Sequence, residues 1–562
     1  MTNKAVARLL SDTAALIELT GGNAFRARAL SNAARQLQRL DGPVQDALAD
    51  GSLQAMRGFG KGLVAQIEEI LESGTLQTYD RLMGAIPAGL MDMLRVKGLG
   101  TKKVRQLWTQ LGITSLDELQ HAAQTGQIAE LAGFGAKMQD KIQAGVQLLK
   151  QYRSQRRYAE TVALYDHLAP QLQLLEGVVD VLPTGPFRRK LEVVDALDIL
   201  LVTTDAQATA EAISTAFSVQ YKEEWYLSDI DSGFSLRLTL ASPEHAGTRW
   251  FVTTGPEAHV AELQEAAGPL PHAADETALY NAAGWPHVLP ELRDTGEAAQ
   301  LLRQAPIELI TNADLRGTLH NHSTYSDGAH SLTEMADAAR AMGYEYFGIC
   351  DHSRSLTVAN GLSIERVAEQ QEEIAALNKK YTSDGGSPFR IFSGIESDIL
   401  PDGSLDYPDE VLASFDFVVA SIHSRFNMSL EEATARLITA IENPYTSILG
   451  HPTGRLLLGR EGYPVDHQRI IDACAANHVA LELNANPYRL DIDWRWIRRA
   501  TDAGCLIAIN PDAHSIDQLK LIRWGVETAR KGWLPADQCL NAKSAAEFAA
   551  WLRIRMTTAL SS

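Results

Sequence analysis

The sequence predicts a multidomain α+β protein with an all-helical first third, a small α+β middle and a C-terminal TIM-like barrel of strand–helix repeats. Three observations carry this. At 562 residues the chain is too long for one hydrophobic core and should divide into roughly three to five domains. Its apolar spacing changes regime twice, from helical to mixed after about Leu149 and from mixed to repeated strand–helix beyond Asp314. Seven β-rich runs then follow in sequence, each separated from the next by a helical stretch, which favours a parallel barrel over a sandwich.

In order along the chain, Val6 to Leu19 and Ala27 to Leu40 are amphipathic helices, and further short helices follow between Gly-containing turns. Val178 to Leu182, Leu197 to Thr203 and Phe234 to Leu240 read as strands, with helices at Tyr158 to Leu168 and Ala206 to Phe217. Gly268 to Asp275 is a Pro-containing loop, and Ala298 to Asn312 is a helix running into a linker. The barrel runs are Gly317 to Leu319, Tyr346 to Cys350, Ile391 to Ile395, Phe415 to Ile422, Ser447 to Leu449, Val479 to Leu483 and Leu506 to Ile509.

With 45% hydrophobic and 22% charged residues the composition is that of a globular protein. No window approaches the ~20 apolar residues of a membrane span, and Met1 to Arg8 is too polar to open a secretory signal, so a cytoplasmic protein is expected. Cys350, Cys474, Cys505 and Cys539 have no metal-type spacing and are expected to be buried thiols. The formal charge of −19 argues against wholesale nucleic-acid binding, yet it is unevenly spread. Residues 1 to 157 carry 20 Lys and Arg against 14 Asp and Glu, a net of +6, which leaves −25 for the remainder. Contact with a polyanion should therefore start from the N-terminal side.

Three segments of that side share one pattern: Met56-Arg-Gly58-Phe-Gly60-Lys61, Val96-Lys-Gly98-Leu-Gly100-Thr-Lys102 and Leu131-Ala-Gly133-Phe-Gly135-Ala-Lys137. A hydrophobe, Gly-x-Gly and a basic residue opening a helix form the helix-hairpin-helix signature. Its glycines let a hairpin expose backbone N–H groups at a helix start, where the positive dipole end and a Lys can hold a phosphate. A single copy could be a mere tight turn; three copies, each followed by Lys, favour sequence-independent binding of the DNA backbone.

Ligand-type residues stand where the barrel strands end. They are His320, His322 and Asp327 after the first run, His352 after the second, Glu396 on the third, His423 after the fourth, His451 after the fifth, and Asp512 and His514 after the seventh. Chemistry in such barrels sits on the C-terminal face of the strands. A lone strand-end histidine is more often a hydrogen-bonding residue than a ligand, but six with three carboxylates make nine candidate donors, enough for two or three divalent ions. Three carboxylates offset only half the charge of three such ions, leaving a positive pocket for a phosphodiester. The expected nucleophile is a metal-bound water, with no catalytic side chain beyond the cluster.

His320-x-His322 with Asp327, Asp351-His352, Gly394-Ile-Glu396, Ser421-Ile-His423, Gly450-His451-Pro and Pro511-Asp512-Ala-His514 resemble the motifs of the polymerase and histidinol phosphatase (PHP) superfamily. That resemblance implies a distorted (β/α)7 barrel with manganese or zinc, cleaving phosphoesters. The rest of the chain resembles bacterial family X DNA polymerases, through Asn23-Ala-Phe25-Arg26-Ala-Arg28-Ala near the N-terminus and Gly284-Trp-Pro286 to Pro290-Glu-Leu-Arg293 further on. The implied division is an N-terminal DNA-binding domain with the first helix-hairpin-helix (1–80), fingers with the second and third (81–155) and a nucleotidyltransferase-like palm (156–242). A small thumb (243–300), a linker (301–313) and the PHP phosphoesterase (314–562) complete it.

The palm departs from that family's pattern. The family carries Gly-Ser-x-Arg-Arg, then Gly-Asp-x-Asp, then a third Asp on a neighbouring strand, and three carboxylates hold two metals. Here Gly185-Pro186-Phe187-Arg188-Arg189 is followed by Asp195-Ala196-Leu197-Asp198, and Arg237 aligns with the third carboxylate, so only Asp198 remains. Strand alternation places Asp195 on the face opposite Asp198. Pro186 replaces the Ser, and Val252 and Thr253 stand at the family's aromatic pair. Little templated synthesis is expected, Mg2+ or Mn2+ in the palm is doubtful, and Arg188 and Arg189 are left as candidate phosphate grips.

The expected function is DNA repair of the base-excision type: binding of gapped, nicked or 3′-ended DNA, with 3′–5′ exonuclease action in the barrel. Its expected setting is a monomer near the bacterial nucleoid, with dNTP as a further candidate ligand. The rivals are a working Mn-dependent gap-filling polymerase with the barrel as proofreader, a non-enzymatic DNA scaffold, and a small-molecule phosphatase.

Overall fold

The computed structural model describes the whole chain except residues 2, 38–39, 41–42, 97, 223–224, 232, 384, 386–387 and 562. The chain divides into two compact units, Met1–Arg153 and Ser154–Ser562.

The first unit is helical throughout the described residues, beginning with helices Asn3–Leu19 and Ala24–Leu37. The expected end of the second helix falls partly on residues 38–39, outside the described residues. The three Gly-x-Gly hairpins have one local architecture. In each, the middle hydrophobe donates its N–H to the carbonyl three residues earlier: Phe59 to Met56, Leu99 to Val96 and Phe134 to Leu131. The first glycine is left-handed each time, with φ of 98° at Gly58, 93° at Gly98 and 85° at Gly133, a region where a Cβ is costly. Phe59 and Leu99 are buried plugs, whereas Gly58, Gly60, Lys61, Gly98, Gly100, Gly133 and Lys137 are exposed. The hairpins open helices Lys61–Ser73, Thr101–Leu111 and Ala136–Arg153. Gly60 and Gly100 are the N-caps of the first two and supply no side-chain cap, so the helix starts are presented by backbone alone.

The second unit opens with a two-residue ribbon, β1 (Arg156–Arg157) paired with β3 (Val193–Val194), beside a five-stranded sheet. The sheet contains β2 (Val178–Pro183), β4 (Ala196–Thr203), β5 (Gln220–Lys222), β6 (Trp225–Asp231) and β7 (Phe234–Ala241), in the order β2-β4-β7-β6-β5. The three strands expected from sequence are present; β5 and β6 were not foreseen, because Gln220–Lys222 is exposed at every position and gives no apolar signal. β4 is buried along its whole length. It pairs in parallel with β7, and the register sets Asp198 opposite Arg237.

The barrel strands are β8 (Gly317–Thr318), β9 (Tyr346–Ile349), β10 (Arg390–Asp398), β11 (Phe417–Ser421), β12 (Ile448–Leu449), β13 (Ala480–Asn484) and β14 (Ile507–Asn510). They run in sequential order, all parallel. Just beyond the strand ends, a parallel bridge between Asn321 and Ala513 joins the first and last edges. The near-barrel of seven strands is therefore the expected fold, and strands buried on both faces explain why these runs are continuously apolar. At the strands' N-terminal end, the C-terminal helix inserts Phe548 among Tyr346, Phe392 and Phe417, with ring centroids 4.8–6.0 Å apart. That plug leaves the C-terminal mouth for chemistry. The four cysteines are free and buried, as expected, and no helix among the described residues is long and apolar enough to cross a membrane.

Candidate active site

A parallel barrel brings all its strand C-termini to one rim, so side chains distant in sequence converge there. Glu396, on β10 and 1% exposed, is the hub. Its Oε1 lies 3.1–3.2 Å from the Nε2 atoms of His320, His423 and His451, and its Oε2 lies 2.7 Å from His352 Nδ1. Asp512 Oδ1 is 3.1 Å from His322 Nε2, and Asp327 Oδ1 is 3.3 Å from His514 Nε2 and 3.5 Å from His352 Nε2. All nine predicted donors thus meet in one pocket. Eight of them form three overlapping groups with donor atoms within 4.8 Å of one another: His322, Asp327, His352 and His514; His320, His322 and Asp512; His352, Glu396 and His423. His451 joins through Glu396.

The donor chemistry fits divalent cations. His320 Nε2, His322 Nδ1, His352 Nδ1, His451 Nδ1 and Glu396 Oε2 are buried and make no hydrogen bond, although His352 Nδ1 and Glu396 Oε2 are close. Buried polar atoms left without a partner are costly unless something else satisfies them. Backbone strain accompanies them: His320, His451 and Asp512 have φ of 56°, 22° and 52°, left-handed values costing about 1–3 kcal/mol each for residues other than Gly.

The charges are mutually dependent. Burial pushes the Glu396 and Asp512 carboxyls up, but the facing imidazoles outweigh it and hold both well below the usual range. Burial pushes the His423 imidazole down, but Glu396 and Asp398 overcome this and raise it to about 10. His322, buried and crowded by His514 and His352, falls to about 3. Deprotonated carboxylates are what a cation site requires, and a bound divalent cation would take the place of the proton that they hold on the His423 imidazole.

Three supporting residues stand outside the nine predicted donors, and of these only Asp351 was marked in sequence, beside His352. Glu482, fully buried on β13, accepts from Asn510 Nδ2 at 2.9 Å and sits 2.6 Å from His320 Nδ1, fixing that ring with Nε2 toward the cluster. Asp398 does the same for His423 at 2.8 Å. Asp351 accepts from Ser323 N and Oγ and from Gln370 Nε2 at 2.7–2.8 Å, fixing the loop that carries His322 and Asp327. A lone carboxylate inside an apolar strand, as in Ala480–Asn484, is the signal that could have revealed Glu482.

The middle region holds a second constellation. Arg237 places Nη1 3.4 Å from Asp198 Oδ1 and Nη2 3.1 Å from Asp195 Oδ2. The expectation that Asp195 points away is therefore corrected. Asp195 lies in a bend between β3 and β4, so strand alternation does not govern it. The backbone of Gly185, at φ 63°, presses so closely on Asp198 that a Cβ there would collide with the carboxylate. Neither arginine of the Gly185–Arg189 turn is free to grip phosphate, a second correction. Arg188 is paired with Glu276 in a fork at 2.6 and 2.8 Å and lies over the Trp250 ring. Arg189 is paired with Asp294 at 3.1 Å and donates to Thr254 O. Both pairs are largely buried, and their partners come from a segment whose acidic residues gave no sign in sequence of facing these arginines.

Comparison with known proteins agrees with this architecture. A helix-hairpin-helix domain family matches residues 1–76, a SAM-like helix-hairpin-helix tandem family matches residues 90–147, and the PHP domain family matches residues 318–486. The DNA polymerase/3′-5′ exonuclease PolX of Bacillus subtilis (strain 168) is 35% identical over 98% of this chain and 100% of its own length. A probable phosphatase of Acetivibrio thermocellus is 31% identical over 30% of this chain and 65% of its own length. One from Thermoanaerobacter sp. (strain X514) is 26% identical over 40% and 88%. These matches imply DNA binding and a phosphoesterase barrel. With helix-hairpin-helix segments, an α+β middle and a donor-lined PHP barrel in the order of a relative matched along its whole length, the chain belongs to the PolX family of family X DNA polymerases/3′-5′ exonucleases.

Proposed function

We propose that this protein binds gapped, nicked or broken DNA through Gly58, Gly60, Lys61, Gly98, Gly100, Lys102, Gly133, Gly135 and Lys137, and hydrolyses phosphodiesters from a 3′ end in the barrel. The observation that carries this reading is the convergence of nine donors on one pocket around Glu396. His320, His322, Asp327, His352, Glu396, His423, His451, Asp512 and His514 would hold two or three ions, manganese or zinc by donor type. Such ions supply Lewis-acid polarisation of a phosphoryl oxygen and acidify water. The protein's own contribution is orientation: Glu482 and Asp398 aim His320 and His423, and Asp351 holds the His322–Asp327 loop.

In the same reading, residues 156–242 are a palm, 243–300 a thumb, and the palm has lost most of its two-metal synthesis. Arg237 sets a guanidinium between Asp195 and Asp198, where a divalent ion would otherwise be drawn, and like charges at that range oppose each other by several kcal/mol in a partly buried site. Ala196 offers no carboxylate on the strand beside it. A working polymerase is the second reading, favoured by the name of the Bacillus subtilis relative. Both are tested on one gapped substrate in Mn2+, Zn2+ and Mg2+. His320→Ala and Asp512→Ala are each expected to lower 3′-end hydrolysis at least 100-fold; unchanged hydrolysis overturns the barrel assignment. Primer extension by the parent that disappears in Asp198→Ala would establish the polymerase reading instead.

A further inference from the structure

Of the arginines on the loops beyond the barrel strands, Arg354 is paired with Asp406, and Arg455 with Asp493 at 2.6 Å. Arg489 is different. Its guanidinium makes no hydrogen bond to any described residue, and its nearest charged partner is Asp512, with Nε 3.8 Å from Oδ2. It is one-fifth exposed and so stands at the edge of the donor pocket facing solvent.

The turn that carries it is built to hold it there. Asn486 O accepts from the N–H groups of Arg489 and Leu490, and Arg489 O accepts from Arg455 Nε at 2.9 Å. Tyr488 is fixed at both backbone ends, N–H to Asn486 Oδ1 and carbonyl to Leu457 N–H. Yet Tyr488 as a residue is 54% exposed. The Arg157 guanidinium, from the edge of the middle region, lies 4.0 Å from that ring's centroid and donates to Leu457 O at 3.1 Å. An exposed aromatic residue on a rigid turn, backed by a guanidinium and adjoining a second guanidinium whose one ion pair is a long contact with the metal-type ligand Asp512, has the parts of a nucleotide site. Aromatic faces stack on any base, and arginine grips the phosphate.

We propose that Tyr488, Arg489 and Arg157 form a subsite for the DNA strand end, Tyr488 stacking a base and Arg489 holding the phosphodiester over the donor cluster. The inference rests on the phosphoesterase reading of the barrel. It makes the middle region part of the nuclease site, since Arg157 buttresses the platform from outside the barrel.

The test is steady-state hydrolysis of a single-stranded oligonucleotide 3′ end and of bis-p-nitrophenyl phosphate, a diester without a base, by the full-length protein with Mn2+. The expected result for Tyr488→Ala is an approximately tenfold fall in the ratio of kcat/KM for the oligonucleotide to that for the chromogenic diester, carried by KM. Tyr488→Phe should restore the ratio, and Arg157→Ala should lower it in part. Arg489→Ala should weaken binding of both thymidine 5′-monophosphate and inorganic phosphate by calorimetry, whereas Tyr488→Ala should weaken only the nucleotide. An unchanged ratio, an equal loss on both substrates or a Tyr488→Phe variant as impaired as Tyr488→Ala would overturn the subsite. If the parent hydrolysed neither substrate, the barrel reading would fall and the subsite with it.

Discussion

The side chain on which the middle region turns is Asp198. It is 2% exposed, and burial raises its carboxyl to about 6, an effect the nearby Arg237 reduces and Asp195 reinforces. Because its folded value lies above the unfolded value of about 3.9, its contribution to stability is complete only well below the unfolded value and is lost as pH rises through about 6. At pH 8 ionised Asp198 therefore costs the fold roughly 3 kcal/mol relative to strongly acid pH, where both states are protonated. Asp198→Asn should remove that slope, so its stability relative to the parent, measured by urea unfolding, should improve steadily from pH 4 to pH 7. A parallel pair of curves would show that Arg237 has already neutralised the cost. The nine barrel donors, by contrast, were legible residue by residue, because His, Asp and Glu at the ends of apolar runs stand out against a buried strand. The contacts that aim them were not: Glu482 lies within a run, and Asp351, though visible beside His352, and Asp398 reach their partners only across loops.

At the level of elements, the helix-hairpin-helix segments show how much a repeat reveals. Left-handed first glycines, buried or half-buried middle hydrophobes and exposed lysines follow from the Gly-x-Gly pattern alone, since only that arrangement hides the hydrophobe and leaves the helix start open. If phosphate is held there, changing Lys61, Lys102 and Lys137 together to Glu should weaken gapped-DNA binding at least tenfold and flatten the dependence of log K on log salt by about one unit per lost contact. Anisotropy titrations over a range of salt measure both. Equal slopes for parent and variant would make the hairpins structural turns only. The strands show the opposite case. β5 and β6 escaped notice because they form an edge whose outer strand is wholly exposed, and their pairing is decided by β7 rather than by their own apolar pattern.

On the scale of the whole molecule, residues 154–562 form one compact unit, and buried charge links the middle region to the barrel. Lys531, fully buried at the end of the barrel helix Ile522–Lys531, donates to Arg189 O and Glu291 O and pairs with Asp294 at 2.5 Å. Arg530 pairs with Glu291 at 2.9 Å, and Lys190 bridges Glu291 and Glu527. Breaking a buried pair from one side strands the other charge, at about 3–5 kcal/mol. Lys531→Met should thus lower stability by that order and split urea unfolding of this unit into two transitions, followed by tryptophan fluorescence; a single unshifted transition would show that apolar contacts alone join the two. Sequence by itself determined the regimes of the chain, the repeated hairpins, the seven barrel strands and the donors at their ends, because period, glycine placement and ligand chemistry are local properties. Only the tertiary structure decided that Arg188 and Arg189 are spent on Glu276 and Asp294, that Asp195 turns back to Arg237, and that Arg157 reaches Tyr488. Which charge meets which depends on packing between segments far apart along the chain, and no local pattern records it.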